Sequence, residues 1–211
     1  MNMNSFNAIQ IAYTKTYHNA CDLIEESKLL LDNERYARAH LLAHIAIEEM
    51  ARCVMLSSAI MKFKIRSLNV KKLRNRETNH KDKIQLAYSM VEHMKGYTSP
   101  LSEQDRLEIL AKSAVALIGQ HIITDQEIDK LNDLKNSSFY TDHYGNETKK
   151  PSEVITKELA TEMFNSAAVF RDYISFNNWH EGNGLIDLVR NMDNESLTSV
   201  KNIYFEGHKT F

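Results

Sequence analysis

The first 95 residues contain neither glycine nor proline; all six glycines lie at Gly96 or later, and the two prolines are Pro100 and Pro151. Without either breaker only polar caps can interrupt that stretch, which therefore reads as nearly continuous helix. Cysteine is also scarce. Cys21 and Cys53 show no CxxC or CxxH spacing, which argues against a structural zinc site and, in a reducing compartment, against a disulfide. Nor is there a long hydrophobic run. The most apolar stretch, residues 41–56, is broken by His44, Glu48, Glu49 and Arg52, and falls short of the roughly 20 apolar residues a membrane helix needs. The start, Met1-Asn2-Met3-Asn4, lacks the basic-then-apolar layout of a secretory leader, so the expected location is the cytoplasm, with no membrane partner.

Against these absences, 43% of the 211 residues are hydrophobic and 26% charged, the proportions of a chain that buries an ordinary globular core. Phe6, Ile9, Tyr13, Tyr17, Ala20, Ile24 and Leu31 recur mostly at steps of three, four or seven, which predicts an amphipathic helix over about residues 5–31. Residues 34–61 are apolar almost all the way round, as a central helix would be. Asn79 followed by Asp82 resembles a capping box and opens a helix toward Lys95. Helical patterns follow at about 102–118 and 125–139, then a polar loop from Tyr140 to Pro151, a long helix capped by Thr156, and shorter helical pieces after Gly184. No strand pattern competes. The expected class is all-α, a single domain over residues 1–211 with its core at about 5–180 and a helical extension at about 184–205.

The net charge of −2 hides an uneven distribution. Residues 62–83 hold nine basic side chains against Glu77 and Asp82, a local +7, which leaves the other 189 residues at −9. Such a patch suits a phosphate backbone; a solvated basic connector is the plainer reading. Lys71, Lys72, Arg76 and Lys81 are the candidate RNA contacts within it. The same segment contains Arg74 and His80. On one helix, six residues apart, they would stand about 120° out of phase. With a helix beginning at Asn79, Arg74 would lie in the preceding loop and fold back, while His80 would sit among the unpaired amides of a helix start, an end that binds phosphate. A neutral histidine accepts a proton and an arginine fork complements a phosphorane, so the pair suits RNA cleavage through attack by the 2′-hydroxyl, with no metal or other cofactor.

His40, His44 and Glu48 follow at i, i+4, i+8 and share a helix face, a spacing compatible with metal ligands or with a hydrogen-bonded polar stripe inside the bundle or at a dimer seam. Glu77 and His80 form one Glu-x-x-His, but a di-iron bundle needs two, so no metal site is expected. Glu48 and Glu49 stand in an apolar helix, where at least one carboxylate needs a cationic partner; His80 and Lys83 are the candidates.

Three stretches together resemble one family. Glu34-Arg35-Tyr36-Ala37-Arg38-Ala39-His40 running into Ala46-Ile47-Glu48-Glu49-Met50-Ala51-Arg52 resembles the second helix of AbiV-type abortive-infection proteins, a branch of the HEPN superfamily. His80-Lys81-Asp82-Lys83 is similar to that family's His-x-x-Lys element, and Leu134-Lys135 through Phe139-Tyr140-Thr141-Asp142, Pro151 and Ile155-Thr156 to its third block. The resemblance implies a HEPN-like helical bundle with additional C-terminal helices and an antiphage protein. It further implies a homodimer, and activation by a phage-encoded product. It also implies an Arg-x4–6-His ribonuclease motif, matched here by Arg74-Asn75 and His80. The expected catalytic set is therefore Arg74, Asn75 and His80 with Lys83 and Glu49 in support, acting on RNA. The alternative is a non-catalytic module that binds RNA or a phage protein.

Overall fold

Helix α1 (Met3–Asp32) and helix α2 (Tyr36–Lys64) pack along one another as an antiparallel pair at the centre of the protein. The computed structural model describes residues 3–65, 68–94, 124–144, 147–176, 180–181 and 184–209. The turn between the two helices follows from the missing glycines. A helix commonly closes on a left-handed residue, usually glycine, that lets two amides bond back to the last turn. Here Glu34 takes that conformation, with φ 58, while the Arg35 amide bonds Leu30 O at 2.8 Å and the Glu34 amide bonds Leu31 O at 3.1 Å.

α2 is buried on most of its circumference, from Ala39, Ala43 and Ala46 through Met50, Cys53 and Met55 to Ile60 and Met61. Tyr13, Tyr17, Ala20 and Ile24 of α1 cover one side of it. Beyond α2 the chain forms helix α3 (Val70–Thr78) and helix α4 (His80–Met94), then helix α5 (Asp125–Ser137). Next come strands β1 (Asp142–Tyr144) and β2 (Glu147–Lys149), a short helix α6 (Pro151–Val154), helix α7 (Lys157–Phe176), helix α8 (Gly184–Arg190) and helix α9 (Asn194–Lys209). Met163, Ala167, Phe170 and Ile174 of α7 close the second side of α2, and Leu185, Ile186 and Val189 of α8 fill the same core. Each fully buried large side chain there contributes about 1.5–3 kcal/mol through its removal from water. Cys21 and Cys53 are free thiols, and burial pushes both above the ordinary thiol range.

Two sequence expectations need correction. Arg74 does not lie in a loop, because residues 70–78 form α3 and the helix break falls at Asn79. The polar segment after Tyr140 is not strandless, because β1 and β2 pair antiparallel with Asp142 opposite Lys149 and Tyr144 opposite Glu147. Three-residue strands are too short to show a period-two pattern. The helix expected at 102–118 lies outside the described residues.

Candidate active site

Asn79 ends the break between α3 and α4. Its Oδ1 accepts from the Lys81 amide at 3.0 Å and the Asp82 amide at 3.4 Å, and its carbonyl accepts from the Lys83 amide at 3.2 Å. This cap makes His80 the first residue of α4. Positions three apart on a helix share a face, so His80 and Lys83 approach α2 together. Both meet Glu48 there: its Oε2 lies 2.8 Å from His80 Nδ1 and 2.9 Å from Lys83 Nζ. A third donor comes from α5, whose Lys135 Nζ stands 3.2 Å from Glu48 Oε1.

The Glu48 carboxyl is only 5% exposed. Burial alone would raise its pKa, but the hydrogen bonds from Lys83 and His80 and the charges of Lys83 and Lys135 outweigh burial and hold it at about 2. Glu48 is thus a carboxylate throughout the neutral range. Its three partners differ in accessibility. The side chains of Lys83 and Lys135 are 10% and 14% exposed, whereas that of His80 is 62% exposed. The imidazole therefore presents its far edge outward while its Nδ1 edge is held by a buried anion.

The stripe of His40, His44 and Glu48 continues this polar seam along α2. His40 Nδ1 lies 2.7 Å from Ser138 Oγ, and Ser138 Oγ lies 2.7 Å from Leu134 O. A carbonyl only accepts and a hydroxyl has one hydrogen, so Ser138 donates to Leu134 and His40 donates to Ser138 from Nδ1–H. His44 stands between, fully buried, with neither ring nitrogen in a hydrogen bond and its Nε2 3.6 Å from Glu48 Oε1. Burial lowers the pKa of His40 to about 4. For His44 burial dominates over the pull of Glu48 and lowers it to about 3. Both are neutral near pH 7. Among the described residues, no group of three or more His, Cys, Asp or Glu side chains is arranged to hold a metal ion; the contacts of the stripe are those of His40 with Ser138 and of His44 with Glu48.

The AbiV family model matches residues 8–172, under the description HEPN_AbiV. The chain belongs to the AbiV family. No curated protein and no solved structure matches it. As an AbiV-family member it is an abortive-infection protein of HEPN type, and its all-helical build, the small hairpin apart, fits that membership. No described helix is long and apolar enough to cross a membrane.

In this AbiV-family chain, His80 and Lys83 come together, but on Glu48 and not on Glu49. One residue further along α2, Glu49 is turned about 100° away and lies 3.9 Å from Arg52. Arg52 also binds Glu77, Nε to Oε1 at 3.2 Å. Arg74 and Asn75 are exposed on α3, outside the Glu48 cluster, and their carbonyls accept from the Thr78 hydroxyl at 3.2 and 3.0 Å. Lys71 is exposed on the same helix; the side chains of Lys72 and Arg76 lie outside the described residues. Lys81 points away from Glu48 and pairs with Asp129 of α5 at 2.6 Å. Of the α4 amides that the sequence offered to a phosphate, those of Lys81 and Asp82 are taken by the Asn79 side chain. Sequence reasoning missed Lys135 as a partner of Glu48, although Leu134-Lys135 carried part of the family resemblance.

Proposed function

We propose that the protein is an endoribonuclease of abortive infection that cuts RNA through the 2′-hydroxyl, with His80 as the proton-transferring group and Glu48 as the carboxylate that positions it. The observation behind this reading is the 2.8 Å contact from buried Glu48 to Nδ1 of a largely exposed His80. A carboxylate on one ring nitrogen fixes the orientation and tautomer of an imidazole and stabilises the imidazolium formed when the other nitrogen takes a proton. In RNA cleavage the 2′-oxygen loses a proton as it attacks phosphorus, and the departing 5′-oxygen gains one, leaving a 2′,3′-cyclic phosphate and a free 5′-hydroxyl. A homodimer that brings two copies of His80 to one cleft would supply both transfers. Arg74, with Asn75 beside it on the solvent side of α3, would approach the phosphorane from across the cleft, and Lys71, Lys72, Arg76 and Lys81 would neutralise flanking phosphates. A phage-encoded product would switch the enzyme on.

The test is cleavage of total bacterial RNA in EDTA by wild type and His80→Ala, with circular dichroism as the check on folding. A placed histidine typically contributes about 10²- to 10⁴-fold, so discrete cuts should fall by that factor in a folded variant. A folded His80→Ala protein that cuts as wild type does, alone or with infected-cell extract, would sink the reading. One observation favours a non-catalytic module instead: Phe139 and Tyr140 are 49% and 58% exposed, with Arg38 over the Phe139 ring at 5.0 Å, a surface suited to a protein or RNA partner. Equal growth arrest by wild type and His80→Ala would select it.

A further inference from the structure

Helices α3 and α4 meet in an elbow at Asn79, and each arm of that elbow is tied to α2 by an ion pair. On the α4 arm His80 and Lys83 meet Glu48. On the α3 arm the pairing is reversed, with Arg52 of α2 donating from Nε to Glu77 Oε1 at 3.2 Å. Glu48 and Arg52 are four residues apart, so the two contacts lie one turn apart on one face of α2. A slide of the elbow by one turn would set Glu77 against Glu48, carboxylate against carboxylate, or carry His80 to Arg52. The two contacts thus fix its register together.

The second contact also decides how α3 is turned. Leu73 lies one turn before Glu77 on the same face of α3 and packs, partly buried, against the core. Apolar contact is non-directional, so Leu73 by itself accepts more than one roll of the helix. A guanidinium is a planar fork whose N–H groups point in fixed directions, and seating Glu77 on it selects one roll. Glu49, one turn back on α2, is a second anion beside the same fork, 3.9 Å from Arg52 Nη1. Arg74 follows Leu73 about 100° further round α3. The roll that brings Glu77 to Arg52 therefore sets which way Arg74 faces from the elbow that carries His80.

We propose that Arg52 is a positioning residue of the ribonuclease site: through Glu77 it sets the roll of α3, and so the direction from which Arg74 reaches the cleft that holds His80. As a contribution to catalysis this rests on the ribonuclease reading; as the contact that orients α3 on α2 it does not. Arg52 acts through α3 and not on the RNA itself.

Two arms test this on the full chain. In the first, a synthetic RNA carrying one mapped cut is cleaved in EDTA, with infected-cell extract where the wild type needs it. Misplacing a group that serves the reaction costs up to about 10²-fold, so kcat should fall about 10- to 100-fold in Arg52→Gln and in Glu77→Ala, with KM within about twofold. Glu77→Gln keeps an acceptor for the Arg52 Nε–H and should recover most of the loss. Arg74→Ala added to Glu77→Ala should cost nothing further, because both act through the same arginine. In the second arm amide hydrogen exchange is read along the chain, and exchange over α3 should speed about tenfold in Arg52→Gln while α1 and α7 keep their wild-type rates. Should Arg52→Gln fail to fold, Glu77→Ala, which removes nothing from α2, carries both arms. A folded Arg52→Gln that cuts as wild type does, or losses in Glu77→Ala and Arg74→Ala that multiply, would overturn the positioning role and leave the ribonuclease reading standing. Faster α3 exchange in a protein that never cuts, or that cuts equally well as His80→Ala, would keep the contact and sink the ribonuclease reading. Unchanged α3 exchange would overturn the contact's role in either case.

Discussion

The two flanks of α2 are held by different physics. Toward α1 and α7 the contact is apolar, with Tyr13, Ile24, Met50, Ile60 and Phe170 all but excluded from water. Toward α4 and α5 the apolar packing of Leu86, Ala87 and Met90 is joined by a polar seam: Glu48 with His80, Lys83 and Lys135, then His40 with Ser138, and Arg38 with the carbonyls of Ser138 and Phe139 at 3.5 and 3.4 Å. Apolar burial is non-directional and tolerates repacking. A buried ion cluster is directional, and removing one member leaves the others unpaired. Apolar burial on both flanks therefore stabilises the fold, and the polar seam specifies how α4 and α5 sit on it.

The sharpest way to break this contrast is Glu48→Gln, which leaves Lys83 and Lys135 without their carboxylate. A loss of about 3–5 kcal/mol is expected in urea unfolding. Replacing both lysines with methionine in that background should recover part of it. A loss below about 1 kcal/mol would mean that the seam is decoration.

Acid probes the same seam and needs no mutation. The folded-state pKa values of His44, His40 and Glu48 are all depressed, to about 3, about 4 and about 2. In each case the unfolded chain binds the proton first as pH falls, so each group's contribution is complete above its unfolded value and disappears on the way down to the folded one. Stability should decline from about pH 6.5 as the two histidines charge in the unfolded chain, and more steeply below about pH 4.5 when Glu48 joins them. Glu48 alone accounts for roughly 3 kcal/mol by this linkage. A Glu48→Gln protein should lose only the lower part of the profile; an unchanged profile would contradict the assignment.

Ser138→Ala should cost about 1–2 kcal/mol, because it strands the buried Nδ1–H of His40, and thermal unfolding would register it. Glu49→Gln is the smallest expected change, within about 1 kcal/mol, since its contact with Arg52 is long and partly solvated. If Glu49→Gln and Glu48→Gln destabilise equally, the distinction between adjacent carboxylates collapses.

Much of the fold was legible in the residues. The apolar steps from Ile9 to Ile24 and the almost wholly apolar circumference of α2 mark α1 and the central helix, because a helix buried on most of its faces needs apolar side chains on most of them. Asn79 marks the start of α4 because its side chain supplies the bonds that the first amides lack. Thr156 does the same for α7, accepting from the Leu159 amide at 3.3 Å. The site was legible only in part. Glu48 and Glu49 are chemically alike and adjacent, so the demand for a cationic partner did not choose between them. Nor did the basic letters of residues 70–78 distinguish a loop from a helix without the neighbours that pack on it.

Sequence by itself determined the all-helical architecture, the caps, the family, and the need of a carboxylate on α2 for a cationic partner, with His80 and Lys83 as candidates, all of which depend on local spacing and side-chain chemistry. Tertiary structure alone decided that Glu48 is the carboxylate turned inward, that Lys135 completes its shell, and that Arg74 stands on a helix outside the cluster. Those outcomes depend on the rotation of α2 against α4 and α5, where a single residue is about 100° of turn, and that rotation is set by contacts between segments 30 to 90 residues apart.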